Sequence, residues 1–173
     1  MNKKTLLIFL LIFIIFCFFV FLKSLNNSNT YVPNEGSGKK ISTFNAKNFF
    51  NNDIIISDNL FVENKIYILN IWASWCMPCR VEHKYLMHLS KNPSIKMIGL
   101  NYRDDLTKAK KFINKFGNPY SEILIDKDGT ISIALGAYGI PETLVIDNNK
   151  KILRKFVGSL NDQSIKEIES LLK

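Results

Sequence analysis

Cysteine and histidine are scarce in this chain, with three Cys and two His among 173 residues. There is no second Cys pair and no His pair, so the sequence does not supply the four ligands of a closed structural zinc site. Arg80, not His, follows the second cysteine of Cys76-Met77-Pro78-Cys79, which excludes covalent haem attachment through that pair. A Thr-x-x-Cys peroxidatic site is missing, and Asp126-Lys127-Asp128-Gly129 has too few ligands for an EF-hand loop. Internal repeats are also absent. No acid occurs in residues 1–23, and no small-x-small cleavage site surrounds Leu22-Lys23-Ser24-Leu25, so the N-terminus lacks the mark of a cleaved signal peptide.

The charge balance is one-sided without being segregated. The formal net charge is +8, yet three of the lysines behind it, Lys3, Lys4 and Lys23, flank the apolar N-terminus. Elsewhere bases are mixed with acids: Lys108, Lys110 and Lys111 follow Asp104 and Asp105, and Lys150, Lys151, Arg154 and Lys155 follow Asp147. That mixing reads as solvated faces and gives no nucleic-acid patch.

A long apolar run opens the chain. Apart from Thr5 and Cys17, residues 5–22 are only Leu, Ile, Phe and Val, and as a helix they would be about 27 Å long, close to the hydrocarbon thickness of a bilayer. Lys3 and Lys4 place the short N-terminus in the cytoplasm by the positive-inside rule. Cys17 lies between Phe16 and Phe18 with no small residues before it, so it is a buried small hydrophobe and not a lipoprotein acceptor. The expected organisation is a cytoplasmic tail over 1–4, a transmembrane signal-anchor helix over 5–22, a polar flexible linker over 23–37 and one globular domain over 38–173. A linker of that length reaches on the order of 20–25 Å and keeps the domain near the membrane.

Within the domain the pattern is mixed α/β. Ile41–Phe50 and Ile54–Ser57 read as peripheral strands around the Asn51-Asn52-Asp53 turn, and Tyr67–Ala73 as a central strand buried on both faces. Val81, Tyr85, Leu86 and Leu89 then recur at helical spacing. Ile95–Leu100 is a second buried strand. A helix follows, capped by Asp104 or Asp105, with Leu106, Ala109, Phe112, Ile113 and Phe116 inward and Gly117 at its end. Ile123–Ile125 and Ile131–Leu135 read as strands flanking the Asp126–Gly129 turn. Thr143–Ile146 and Ile152–Val157 predict an antiparallel hairpin, and Asn161 caps a last helix with Ile165, Ile168, Leu171 and Leu172 inward.

The junction at Trp72–Arg80 carries the chemistry. Pro78 suits the first turn of a helix, where its missing N–H is not needed. Cys76 thereby falls where unpaired backbone N–H groups and the helix dipole stabilise a thiolate, and Cys79, one turn on, can resolve a mixed disulfide. An inert disulfide is the plain alternative, but closing so short a loop removes little unfolded-state entropy.

Trp75-Cys76-Met77-Pro78-Cys79-Arg80 after a hydrophobic strand resembles the thioredoxin superfamily. Glu82-His83, Asn101-Tyr102-Arg103-Asp104-Asp105 and Gly136-Ala137-Tyr138-Gly139-Ile140-Pro141-Glu142-Thr143 narrow the resemblance to the CcmG/DsbE type, membrane-tethered thiol-disulfide proteins of cytochrome c maturation. It runs from about Gly38 to the end. The resemblance implies a thioredoxin-like α/β fold, a central mixed sheet flanked by helices, with additional N-terminal strands and a single transmembrane helix before it. It implies catalytic Cys76 and Cys79, a cis Ile140–Pro141 bond against them, and a partner groove built from Trp75, Ile140 and Pro141. Arg80 would favour a thiolate, while Glu82 and Glu142 would oppose it. Trp75 is equally readable as core, and His83 and His88 as solvated helix positions. Cytosolic thioredoxins carry a buried Asp six residues before the first cysteine, where this chain has Asn70. An amide cannot take a proton, so Glu142 or water would have to assist Cys79, or exchange would be slower and confined to chosen partners.

The resulting expectation is a membrane-anchored periplasmic dithiol reductant. It would keep the Cys-x-x-Cys-His cysteines of apocytochrome c, or of a maturation partner, reduced, and a membrane thiol transporter of CcdA/DsbD type in the inner membrane would reduce it in turn. The Cys76–Cys79 disulfide would be its only redox group, with no cofactor and no metal. Two alternatives stand beside it: a tethered thioredoxin for copper-site or oxidase assembly, and a metal-binding assembly module using Cys76, Cys79 and His83.

Overall fold

The computed structural model describes residues 2–26 and 38–172, with side chains in the first segment described up to residue 23. The N-terminal part and the globular part are separate compact units. In the first, helix α1 spans Lys3–Asn26, and its Lys3–Lys23 portion is long and apolar enough to cross a membrane. The helix continues past the expected boundary at residue 22, because nothing in Lys23-Ser24-Leu25-Asn26 breaks it. From residue 27 to 37 the expected linker lies outside the described residues.

In the globular unit a seven-stranded sheet runs in the order β2-β1-β5-β4-β3-β6-β7. The strands are β1 Asn45–Asn48, β2 Ile54–Ile56, β3 Ile66–Trp72, β4 Ile95–Tyr102, β5 Glu122–Asp126, β6 Glu142–Ile146 and β7 Ile152–Val157. β3, β4 and β5 are mutually parallel, while β6, β7, β1 and β2 run antiparallel to their neighbours. The helices are α2 Met77–Leu89, α3 Leu106–Phe116, α4 Thr130–Ala134 and α5 Asp162–Ser170. β3-α2-β4 and β4-α3-β5 are the crossovers that parallel neighbours require.

β3 is buried along nearly its whole length. Its alternation sends Tyr67, Leu69 and Ile71 into one core cluster and Ile68 and Trp72 into the other. The second cluster also holds Cys76, Cys79, Leu86, Phe112 and Ile168. Asn70, by parity, belongs to that same face. Gly99 on β4 is required by close approach: a Cβ there would come within 2.9 Å of both Trp72 Nε1 and the Tyr120 ring.

Four expectations need correction. Ile131–Leu135 is not a strand, since Thr130–Ala134 is helix α4. The buried Asp126 carboxylate accepts from Ile131 N, Ser132 N and Ser132 Oγ, and Gly129 at φ +84 turns the chain into the helix. The first strand covers only Asn45–Asn48, because Asn48 Oδ1 accepts from Phe50 N and Asn51 N and folds the chain into a turn. On α2 the inward positions are Cys79, Glu82, His83, Leu86 and Leu89, while Val81 is exposed. Lys155 lies on no solvated face; it is buried. Asn161 caps α5 as expected, accepting from Ser164 N.

Candidate functional site

Cys76 is the N-cap of α2, with extended backbone, and its Sγ accepts a hydrogen bond from Cys79 N at 3.1 Å. A sulfur thus occupies the position usually taken by a capping oxygen. Sγ is bonded to Cys79 Sγ at 2.04 Å. Both cysteines are buried, while Trp75 and Met77, the neighbours of Cys76 in the chain, are exposed. Cys79 N and the N-terminus of α2 are aimed at Cys76 Sγ, an arrangement that favours the anionic form of that sulfur over that of Cys79. Trp75 is 59% exposed, so it is surface and not core.

The loop after β4 holds this junction in place. Ser74 N and Ser74 Oγ donate to the two carboxylate oxygens of Asp104 at 2.5 and 2.7 Å, and Asn101 Nδ2 donates to the same group at 3.0 Å. Asp105 is the cap of α3, accepting from Lys108 N. Asp104 is therefore free to bind the other segment. Trp75 Nε1 donates to Arg103 O at 3.2 Å, and Arg103 takes a left-handed φ of 44° to present that carbonyl. The sequence offered Asp104 only as a capping candidate; its adjacency in space to Ser74 is what the fold adds.

One turn along α2 from Cys79, Glu82 is buried. Its Oε1 accepts from Asn70 Nδ2 at 2.8 Å and its Oε2 from Leu160 N at 2.9 Å. Asn70 Nδ2 also donates to Thr143 Oγ1, and Tyr120 OH donates to Asn70 Oδ1. Every partner is neutral. Burial, only partly offset by the hydrogen bonds from Leu160 and Asn70, pushes the Glu82 carboxyl up to about 7. Asn70 takes no proton, but it holds an acid that can. A buried carboxyl with a raised pKa thus faces Asn70 from α2.

Glu142 lies at the start of β6, opposite Ile71 of β3. Its Oε1 accepts from Tyr138 N at 2.6 Å and Gly139 N at 3.1 Å, and Lys155 Nζ is 2.9 Å from its Oε2. The Ile140–Pro141 peptide is cis. Pro141 immediately precedes Glu142, which pairs with Ile71, and Trp72 follows Ile71 where β3 leads into the cysteine loop. Ile140 packs against the cluster that contains Cys76 and Cys79.

The remaining candidates point elsewhere. The Arg80 guanidinium lies 5.3 Å from the centre of the Phe116 ring. His83, expected as solvated, is buried: its Nε2 is 3.1 Å from Gly117 O and its ring meets Phe112 edge-on. Burial lowers its pKa. The imidazole thus ties α2 to the end of α3, and among the described residues no group of three His, Cys, Asp or Glu side chains gathers as a metal site. His88 is exposed and pairs with Glu169.

Comparison with known proteins agrees with this geometry. The Redoxin family model matches residues 37–172. A thiol:disulfide interchange protein DsbE from Tatumella citrea is 34% identical over 171 residues, covering 96% of this chain and 92% of its own. The DsbE of Escherichia coli (strain K12) is 36% identical over 165 residues, with coverage of 93% and 89%. Among solved structures, a DsbF homologue from Corynebacterium diphtheriae superposes with a TM-score of 0.67 at 21% identity, over 84% of this chain and 96% of that one.

Proposed function

The chain belongs to the redoxin family and, within it, to the DsbE-type thiol:disulfide interchange proteins, and from that premise we propose that it is a membrane-anchored dithiol reductant of the periplasm, serving c-type cytochrome biogenesis. That it is a thiol-disulfide oxidoreductase follows from the family and the thioredoxin-like fold. The observation that carries the mechanism is the Cys76–Cys79 pair with Cys76 at the helix cap.

In the reduced protein the Cys76 thiolate attacks one sulfur of a partner disulfide. A Cys76–partner bond forms, the partner's S–S bond breaks, and the partner's other sulfur leaves as a thiolate. Cys79 then attacks Cys76 Sγ. The Cys76–Cys79 bond forms, and the partner departs with two reduced sulfurs. Two electrons pass from this pair to the partner. Cys79 must lose its proton for the second step, and Glu82, one turn further along α2 with a pKa raised to about 7, acts as the base that takes it. Asn70 and Leu160 N hold that carboxylate. Trp75, Ile140 and Pro141 receive the partner chain. The disulfide is the sole redox carrier, without metal or cofactor.

The partner is the Cys-x-x-Cys-His segment of apocytochrome c or a maturation protein that handles it, and a membrane thiol transporter of CcdA/DsbD type restores the dithiol. α1 anchors the chain in the inner membrane with the domain on the periplasmic side; its length and apolarity support this placement. Cys79→Ser should trap mixed disulfides through Cys76, and haem attachment should fall in cells lacking the gene. The direction of exchange is tested by equilibrating the protein with dithiothreitol or glutathione. A potential near −120 mV, the oxidant end of the family scale, would overturn the reductant reading, whereas one toward −270 mV upholds it.

A further inference from the structure

Lys155 stands in the middle of β7, yet it is buried, and three contacts of its ammonium fall on the segment that enters β6. Nζ is 2.9 Å from Glu142 Oε2, donates to Gly136 O at 2.5 Å, and sits 4.6 Å from the centre of the Tyr138 ring. Glu142 in turn accepts from Tyr138 N and Gly139 N. One cation and one carboxylate, both buried, thus fix the backbone at Gly136, Tyr138 and Gly139, the residues that lead to Ile140-Pro141. Above them the Tyr138 ring is 68% exposed.

A buried ion pair is costly to assemble and adds little net stability over a well-packed apolar pair, so its value lies in the geometry it imposes. Here the imposed geometry is that of the loop beside the cysteines. We propose that Lys155 is a positioning residue for thiol exchange: with Glu142 it forms a charged brace that holds residues 136–142 in the shape that receives a partner's extended chain. This rests on the exchange function proposed above. It changes the part assigned to Glu142, which acts as one half of a loop brace and not as a lone charge opposing the thiolate. The brace serves peptides and not thiol chemistry in general, because a small disulfide without a backbone makes no use of the loop.

That distinction sets the experiment. Reduced full-length protein in detergent is mixed with an oxidised Cys-x-x-Cys-His peptide or with hydroxyethyl disulfide, and the rate of each exchange is followed against concentration. For Lys155→Met the ratio of peptide to hydroxyethyl disulfide reactivity should fall roughly 10- to 100-fold, the scale expected for misplaced binding groups. The loss should appear mainly as a raised KM for the peptide, and Lys155→Arg should recover most of it. Should Lys155→Met fail to fold, Lys155→Met/Glu142→Gln, which leaves no buried charge unpaired, carries the same measurement and the same expected drop. An unchanged ratio, or equal slowing of both disulfides, overturns the brace. Wild-type protein inert toward both substrates would instead overturn the exchange function and the brace's role with it.

Discussion

Two buried glutamates flank the cysteine loop, and their surroundings differ in one respect. Glu82 on α2 is held by neutral donors, Asn70 Nδ2 and Leu160 N. Glu142 at the head of β6 is held by two backbone N–H groups and also by the ammonium of Lys155. Without a cation beside it, burial raises the carboxyl of Glu82 to about 7, so near neutral pH it exchanges a proton readily. The countercharge beside Glu142 makes it part of a fixed ion pair. In the roles proposed above, the same side chain, equally buried, serves proton transfer in one place and loop geometry in the other, and the cation beside Glu142 marks the difference.

The largest expected effect comes from removing that charge. Lys155→Met leaves a carboxylate buried without its partner and should lower unfolding stability by about 3–5 kcal/mol, read from denaturant melts. Lys155→Met/Glu142→Gln should return much of the loss. If the single and double variants were equally destabilised, the ion pair would not be what distinguishes the two sites.

Next in size is the pH dependence that Glu82 confers. Its unfolded pKa is near 4.5 and its folded value about 7, so between those values the native state binds more protons than the unfolded one. The stability contributed by this group is therefore highest below about 4.5 and is lost as pH rises to about 7, by roughly 3 kcal/mol at 1.36 kcal/mol per unit. Glu82→Gln should remove that slope. It should also slow resolution of a mixed disulfide by about 100-fold or more and flatten its dependence on pH near 7. Stopped-flow decay of the mixed disulfide measures the second effect. A variant that kept the wild-type pH profile would show that Glu82 is not the base.

How far these sites were legible in the sequence follows from the same contrast. Local rules placed the cysteine pair at a helix start, the two capped helices α3 and α5 and the β6–β7 hairpin, since each depends on residues a few positions apart. Glu82 was visible as an acid near the thiols, but its partners Asn70 and Leu160 lie 12 and 78 residues away, so its burial and its role as acceptor were not. Lys155 reads as solvated in sequence because it sits in a stretch where bases are mixed with acids. Strand alternation could have flagged it, for it is a charge at the position paired with Leu144 of an apolar strand. α4 reads as strand in sequence because four of its five residues are apolar or β-branched at positions that suit either form; the Asp126 carboxylate, which accepts from Ser132 N, settles the matter from outside the segment.

A smaller perturbation separates the two sites by geometry. A Cβ at Gly99 would press on Trp72 and Tyr120, whose ring would have to shift. Tyr120 OH holds Asn70, and Asn70 holds Glu82. Gly99→Ala should therefore cost about 1–3 kcal/mol by overpacking and move the pH profile of exchange, while leaving peptide selectivity near wild type. The reverse pattern, altered selectivity with an unmoved profile, would mean that the two networks are not separate.

The smallest effect belongs to a third acidic contact. His88 lies on α2 six residues beyond Glu82 and pairs with Glu169 at 3.1 Å, but both side chains are about half exposed. Water screens such a pair, and holding two mobile side chains together costs entropy, so exposed pairs contribute about 0–1 kcal/mol. His88→Ala should accordingly change stability by less than about 1 kcal/mol and leave the pH profile of exchange where it was. The substitution alters the same helix without touching Asn70, Tyr120 or Leu160, so it isolates what proximity along α2 contributes from what burial in the network contributes. Were His88→Ala to shift the profile as Glu82→Gln does, the titration would belong to α2 at large, and the contrast between a neutral network at Glu82 and a charged one at Glu142 would lose its basis.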